Sequence, residues 1–200
     1  MRKTILIVLL FFITGIGNAQ KKGEPDRISK LFAGYETLEM TMNNFKYFAG
    51  EIGYKINPRK QLRLVIGEVK LSEKHLTGKW RTAGVDGNNV EGYFRIYELS
   101  YDNFFDWKKN WYWSLSTGYV NDQYEHMIMN EMKIDNHSPT IGGGIGWQKR
   151  NLFGIKHLYV NIALPARFYL NPIQSREWGN TTIRHHFLVN NIWLFIGFNA

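Results

Sequence analysis

Between Phe48 and Ile56 the chain changes character at every residue. Phe48, Gly50, Ile52, Tyr54 and Ile56 form one row, and Ala49, Glu51, Gly53 and Lys55 form the other. A period of two belongs to an extended strand, whose successive side chains point to opposite faces. The pattern recurs down the chain. Trp111, Trp113, Leu115, Thr117 and Tyr119 oppose Ser114, Ser116 and Gly118, and Leu158, Val160, Ile162 and Leu164 oppose Tyr159, Asn161 and Ala163. At the end of the chain, Ile192, Leu194, Ile196 and Phe198 form a further apolar row. With QLRLVIGEVKLS, VEGYFRIYELSY and the segment around residues 140–148, the count reaches eight strands if SKLFAGYETLEMTM is the first. Read as a short amphipathic helix, that first segment would leave an odd number, whereas single-chain bacterial barrels have even counts.

Each segment is near the 9–11 residues that a tilted strand needs to cross a bilayer. The connections alternate in length: NPRK, DNFFDWKKN and RNLFGIKH are compact, while EKHLTGKWRTAGVDGNN and NPIQSREWGNTTIR are long and polar. Short turns on one side and long loops on the other are the rhythm of an up-and-down barrel in an outer membrane. A soluble sandwich also alternates, but needs no such asymmetry.

The stretch TIGGGIGWQ, residues 140–148, raises a competing possibility, because glycine-rich loops also cradle phosphates. A dinucleotide fingerprint beginning at Gly142 would need glycine where Trp147 stands, and no Gly-Lys-Ser/Thr follows for a P-loop. A repeat of two remains. Gly142, Gly144 and Gly146 share a row with Thr140 and Gln148, and Ile141, Gly143, Ile145 and Trp147 share the other. Inward glycines make room in a narrow barrel for large side chains from across the lumen.

The N-terminus sets the expected address. MRK is basic, residues 4–17 are an apolar run of 14, and Ala19 precedes Gln20 at a small-residue cleavage position. The run is short for a spanning helix, which needs about 20 residues. Residues 1–19 therefore read as a cleaved secretory signal peptide and residues 20–200 as one barrel domain. Without Arg2 and Lys3, the 25 cations become 23 against 17 acids, a net charge of +6. The cations are scattered, which points to anionic lipid rather than nucleic acid. Cysteine is absent, which excludes disulfides and thiolate metal sites. The six histidines lack zinc-ligand spacing, so neither metal nor cofactor is expected. Aromatics make up 16% of the chain while the mean hydropathy is −0.34. That combination suits an apolar outer face averaged with a polar lumen. Trp107, Trp111 and Trp113 gather around one compact turn, and Tyr93, Tyr97 and Tyr101 share a face, as in an interfacial belt.

Taken together, these strands, glycines and aromatics resemble the small eight-stranded outer-membrane barrels of Gram-negative bacteria, of the OmpX and OmpA-barrel type, in versions common in Bacteroidota. The resemblance covers the whole mature chain and rests on pattern. It implies an all-β, eight-stranded antiparallel up-and-down transmembrane barrel. It also implies insertion by the β-barrel assembly machinery with periplasmic chaperones, and contact with outer-membrane lipid and lipopolysaccharide. One departure is the C-terminus, where Phe198 is followed by Asn199 and Ala200 instead of closing the chain.

Charged residues inside strands must avoid the lipid face, where Arg or Lys at mid-bilayer costs about 2–4 kcal/mol. Glu51, Lys55, Glu68, Glu98 and Arg167 are accordingly expected inward as a luminal network, unless they lie at strand ends in water. Arg95 and Glu98 fall on opposite faces. If Glu98 is luminal, Arg95 reaches the outer rim, where it could meet lipopolysaccharide phosphates or snorkel to water. Some barrels of this size act on lipid A. Here His126, His185, His186, Ser114, Ser116 and Glu177 are the available groups, but Leu188 stands where a His-x-Ser arrangement would need its nucleophile. The expected function is a non-enzymatic surface protein, structural or interacting through its loops. The alternatives are a narrow porin-like channel, a lipid A-modifying enzyme and a soluble lipocalin-like carrier.

Overall fold

The computed structural model describes residues 30–42, 47–71, 89–129, 133–183 and 186–199. The leader expected over residues 1–19 lies outside them, as does His185. Seven strands follow one another: β1 (Leu31–Glu36), β2 (Tyr47–Asn57), β3 (Lys60–Leu71), β4 (Val90–Phe104), β5 (Trp111–His126), β6 (Lys133–Arg150) and β7 (Leu158–Ile173). A two-stranded hairpin, β8 (Arg176–Trp178) and β9 (Thr181–Ile183), interrupts the course before β10 (His186–Asn190) and β11 (Trp193–Asn199). Neighbours from β1 to β7 pair antiparallel in sequence order, β7 also pairs with β10 and β11, and β11 pairs with β1. The sheet thus closes on itself without a crossover.

β10 and β11 are one strand with a local break. Asn190 pairs with Ala166 and Trp193 with Ala163, so Asn191 and Ile192 face Pro165 and Leu164 with no inserted residue. Proline has no N–H to give the ladder, which accounts for the interruption at that point. Counted this way, the ring has eight strands, and its interior is just wide enough to be filled by side chains.

The first segment divides between the two possibilities left by the sequence. β1 ends at Glu36, and a single helical turn, α1 (Leu38–Met42), follows. Glu36 is fully buried and causes the change of course. Its carboxylate accepts from the backbone N–H groups of Leu38, Glu39 and Met40 at 3.0–3.2 Å, and from Leu194 N–H at 3.2 Å across the seam. One carboxylate thereby caps the helical turn and ties it to the closing strand.

Alternation assigns the faces. Ala49, Glu51, Val65, Ile96, Glu98, Tyr159, Ala163, Trp193 and Phe195 are buried inside, while Ile52, Leu64, Leu99, Leu115, Ile141, Ile162 and Ile196 are exposed outside. In the last strand the row of Ile192, Ile196 and Phe198 faces outward, with Trp193 and Phe195 inside. Two large rings fit because they pack against small neighbours, Ala49, Val65 and Ala163. Gly142, Gly144 and Gly146 take the inward row, and the wall there is too close for any side chain. A Cβ on Gly144 would lie 2.5 Å from the Leu164 carbonyl oxygen, and one on Gly146 would run into the Tyr112 ring.

Candidate functional site: a filled lumen and a charged rim

Polar side chains from opposite walls meet inside the barrel. Toward the turn end, Glu51 on β2 accepts from Tyr159 Oη at 2.8 Å and from Asn161 Nδ2 at 3.0 Å, both on β7. Arg63 on β3 pairs with Glu51 at 3.3 Å and with Asp102 on β4 at 3.0 Å, and Gln61 donates to the same Asp102 at 2.9 Å. Tyr112 on β5 donates to Asn161 Oδ1 at 2.8 Å and carries the Arg63 guanidinium over its ring. All of these side chains are buried. A charge in such a place is costly unless paired and hydrogen-bonded, and here every carboxylate has several donors.

Higher in the lumen, Arg167 on β7 pairs through Nε with Glu98 on β4 and donates through Nη1 to Asn191 Oδ1 at 2.9 Å. Its guanidinium lies 4.1 Å from the centre of the Trp193 ring, within cation–π range. An apolar cluster of Tyr47, Ala49, Val65, Val69, Ile96, Val120 and Phe195 fills the remaining width at mid-lumen. At the loop end a second buried cluster joins Val90, Tyr124, Ile134 and Ile173 to Trp178 and Ile183 of the β8–β9 hairpin. The last loop therefore folds back over the mouth of the barrel.

The five charged residues singled out in the sequence do not form one network. Glu51, Glu98 and Arg167 are luminal, but Glu51 is partnered by Arg63 and Glu98 by Arg167. Lys55 is on the inward row at the turn end, half-buried and near Arg150 rather than a carboxylate. Glu68 is a correction: it faces outward on the row of Leu62, Leu64 and Ile66 and pairs with Arg95 at 2.6 Å. The reason is strand length. β3 has 12 residues, β4 has 15, β5 has 16 and β6 has 18, well beyond the apolar belt, so outward charges at their loop ends stand in a polar setting. Arg63, Asp102, Tyr159 and Asn161 are central to the lumen and were not singled out. Their signal was present, since Arg63 shares the inward row of Val65 and Gly67.

The loop-end rim is organised as rows across the strands. Ile66, Tyr97, Tyr119 and Pro139 are successive register partners and form the last largely apolar row. One step further, Glu68, Arg95, Asn121 and His137 align, and beyond them Lys70, Tyr93, Gln123 and Asp135. Hydrogen bonds knit this band: Asn121 Nδ2 reaches Asp135 at 2.7 Å, Tyr119 Oη and His137 Nδ1 are 2.7 Å apart, and Lys70 pairs with Glu91 at 3.2 Å. The amide of Asn121 holds the Asp135 carboxyl below the usual carboxylate range, and the hydrogen bond to Glu91 raises the Lys70 ammonium.

No protein-family model matches the sequence, and no curated protein matches it. Among solved structures, the chain is similar to Ail, the attachment invasion locus protein of Yersinia pestis, at 10% identity and a TM-score of 0.41, over 84% of this chain and 95% of that one.

Proposed function

We propose that this chain is an outer-membrane β-barrel that acts through its outer surfaces, as a structural or interaction-mediating protein of the cell surface, rather than by catalysis or conduction. The observation that carries this reading is the filled lumen. Two cross-wall charge networks, the apolar cluster between them and the hairpin lid leave the interior occupied from turn end to loop end. The outward face supports the membrane part. A belt of exposed Leu, Ile, Phe and Tyr encircles the wall, which suits hydrocarbon and not water. A lipocalin-like carrier would reverse that polarity and keep a cavity inside.

The charged rim is then the headgroup-facing and solvent-facing edge of the barrel. Arg95 engages Glu68 through Nε, and its remaining guanidinium nitrogens are the groups offered to lipopolysaccharide phosphates. For an enzyme, geometry is unfavourable. Ser114 and His126 lie 12 residues apart on β5, roughly 40 Å along an extended strand. A nucleophile and its base need to be within about 3 Å.

Two measurements test the reading. The protein expressed in a Gram-negative host should fractionate with the outer membrane and run faster on gels unheated than boiled. Reconstituted in a planar bilayer, it should show no steady ion conductance. Recovery from the soluble periplasm sinks the membrane reading, and a stable conductance sinks the filled lumen in favour of the narrow channel.

A further inference from the structure

Among the described residues, the two ends of the barrel differ in how their charges are paired. Among the described residues of the loop-end rim, Lys70 pairs with Glu91, Arg95 with Glu68 and Lys133 with Glu125. At the turn end, Arg59, Lys60, Lys108, Lys109, Lys149 and Lys156 are exposed against one exposed acid, Asp106, among the described residues, and Arg59 pairs with it at 2.8 Å. The charge left over is positive and concentrated around the second and third turns.

Beside it runs an apolar groove on the outer wall, of about 250 Å³, lined by Trp111, Ile145, Gly146, Trp147, Ile162 and Leu164. Trp111 and Trp147 are register partners and form its turn-end boundary. The Lys108 ammonium sits 4.2 Å from the centre of the Trp111 ring. Lys149 is two residues beyond Trp147 on the same outward row, at the end of the groove nearest the turns. An apolar slot running along the wall and capped by two cations is matched by one kind of ligand, an amphiphile with an anionic head and a hydrocarbon tail. A soluble acidic partner would use the cations but leave the slot empty.

Resting on the membrane-spanning reading above, we infer that this face is a specific site for an anionic glycerophospholipid of the turn-side leaflet. One acyl chain lies in the groove between Trp111 and Leu164, and the headgroup phosphate is held by Lys108 and Lys149. The aromatic ring under Lys108 fixes the ammonium at the level where the phosphate would sit. Cations near an anionic membrane surface each contribute a factor of about five in affinity.

Native mass spectrometry of the protein released from nanodiscs of equal phosphatidylglycerol and phosphatidylcholine tests this. The wild type should retain phosphatidylglycerol preferentially. Lys108→Gln and Lys149→Gln should each lower that preference about fivefold, and the loop-end control Lys133→Gln should leave it unchanged. Ile162→Trp, which fills the groove without altering charge, should also reduce retained phosphatidylglycerol. Unchanged preference in the double lysine variant overturns the site. A lysine effect without a groove effect assigns the cations to headgroup attraction alone and overturns the seating of an acyl chain in the groove, and with it the specific site. Failure of the wild type to enter nanodiscs as a heat-modifiable barrel is a different result, because it removes the membrane-spanning reading itself.

Discussion

Arg167 shows how closely a narrow barrel couples its residues. It is held by Glu98 and Asn191 on two other strands and by the face of Trp193, with almost none of it exposed. Removing it would leave the Glu98 carboxylate buried with, among the described residues, the Ser100 hydroxyl at 3.3 Å. Losing one partner of a buried ion pair costs about 3–5 kcal/mol, while replacing both by apolar groups of similar size is often close to neutral. Arg167→Met should therefore lower the unfolding free energy in detergent micelles by about that amount. The Arg167→Met, Glu98→Leu double variant should recover most of it. Equal losses in the single and double variants would mean that Glu98 does not depend on Arg167. The pair was legible in the sequence as two charges on inward rows, but the partnership was not. Glu98 and Arg167 are 69 residues apart, and only closure of the ring brings β4 opposite β7.

The strands carried most of the readable signal, because a period of two states which side chains share a face and a single buried row fixes which face it is. That is why the inward glycines of β6 were legible before any coordinates, whereas β11 is apolar on both rows and alternation alone left its register open. Glu68 was misplaced for a reason that also lies at this scale. Alternation assigns a face but not a depth, and a charge on the outward row is excluded only where the strand is in hydrocarbon. The depth boundary falls between the Ile66–Tyr97–Tyr119–Pro139 row and the Glu68–Arg95–Asn121–His137 row. Two outward substitutions locate it. Ile196→Arg lies within the apolar belt of β11 and should impair assembly, at about 2–4 kcal/mol for arginine near mid-bilayer. Gln123→Arg lies beyond the boundary beside Asp135, where an added cation has a partner, and should assemble normally. Heat-modifiable gel mobility of the two variants is the readout. Impaired assembly of Gln123→Arg would place the membrane edge farther out along β5. The short helix after β1 was only half legible, because the cause of the turn is the Glu36 carboxylate reaching backbone groups on both sides of the barrel seam.

At the scale of the whole molecule, the barrel is closed twice, by chemistry of two kinds. The lower closure is built from strands and cannot be lost without disturbing the wall, since Glu51, Arg63, Asp102, Tyr112 and Asn161 come from five of the eight strands. The upper closure depends on a loop. Trp178 and Ile183 of the hairpin cover Val90, Tyr124, Ile134 and Ile173, and among the described residues β8 pairs only with β9. The lid can therefore come away while the ring stays intact, because no ladder hydrogen bond of the ring passes through it. Trp178→Ala removes the largest side chain of that cluster, and truncating a buried Trp costs about 3–5 kcal/mol. This cost should fall on the lid alone. The variant should keep wild-type heat-modifiable mobility, yet an added protease should cut within residues 174–183 much faster than in the wild type. It should also remain non-conducting in a planar bilayer, since the lower network still spans the lumen. Conductance in Trp178→Ala would show that the hairpin is the true seal and that the polar network below it admits ions.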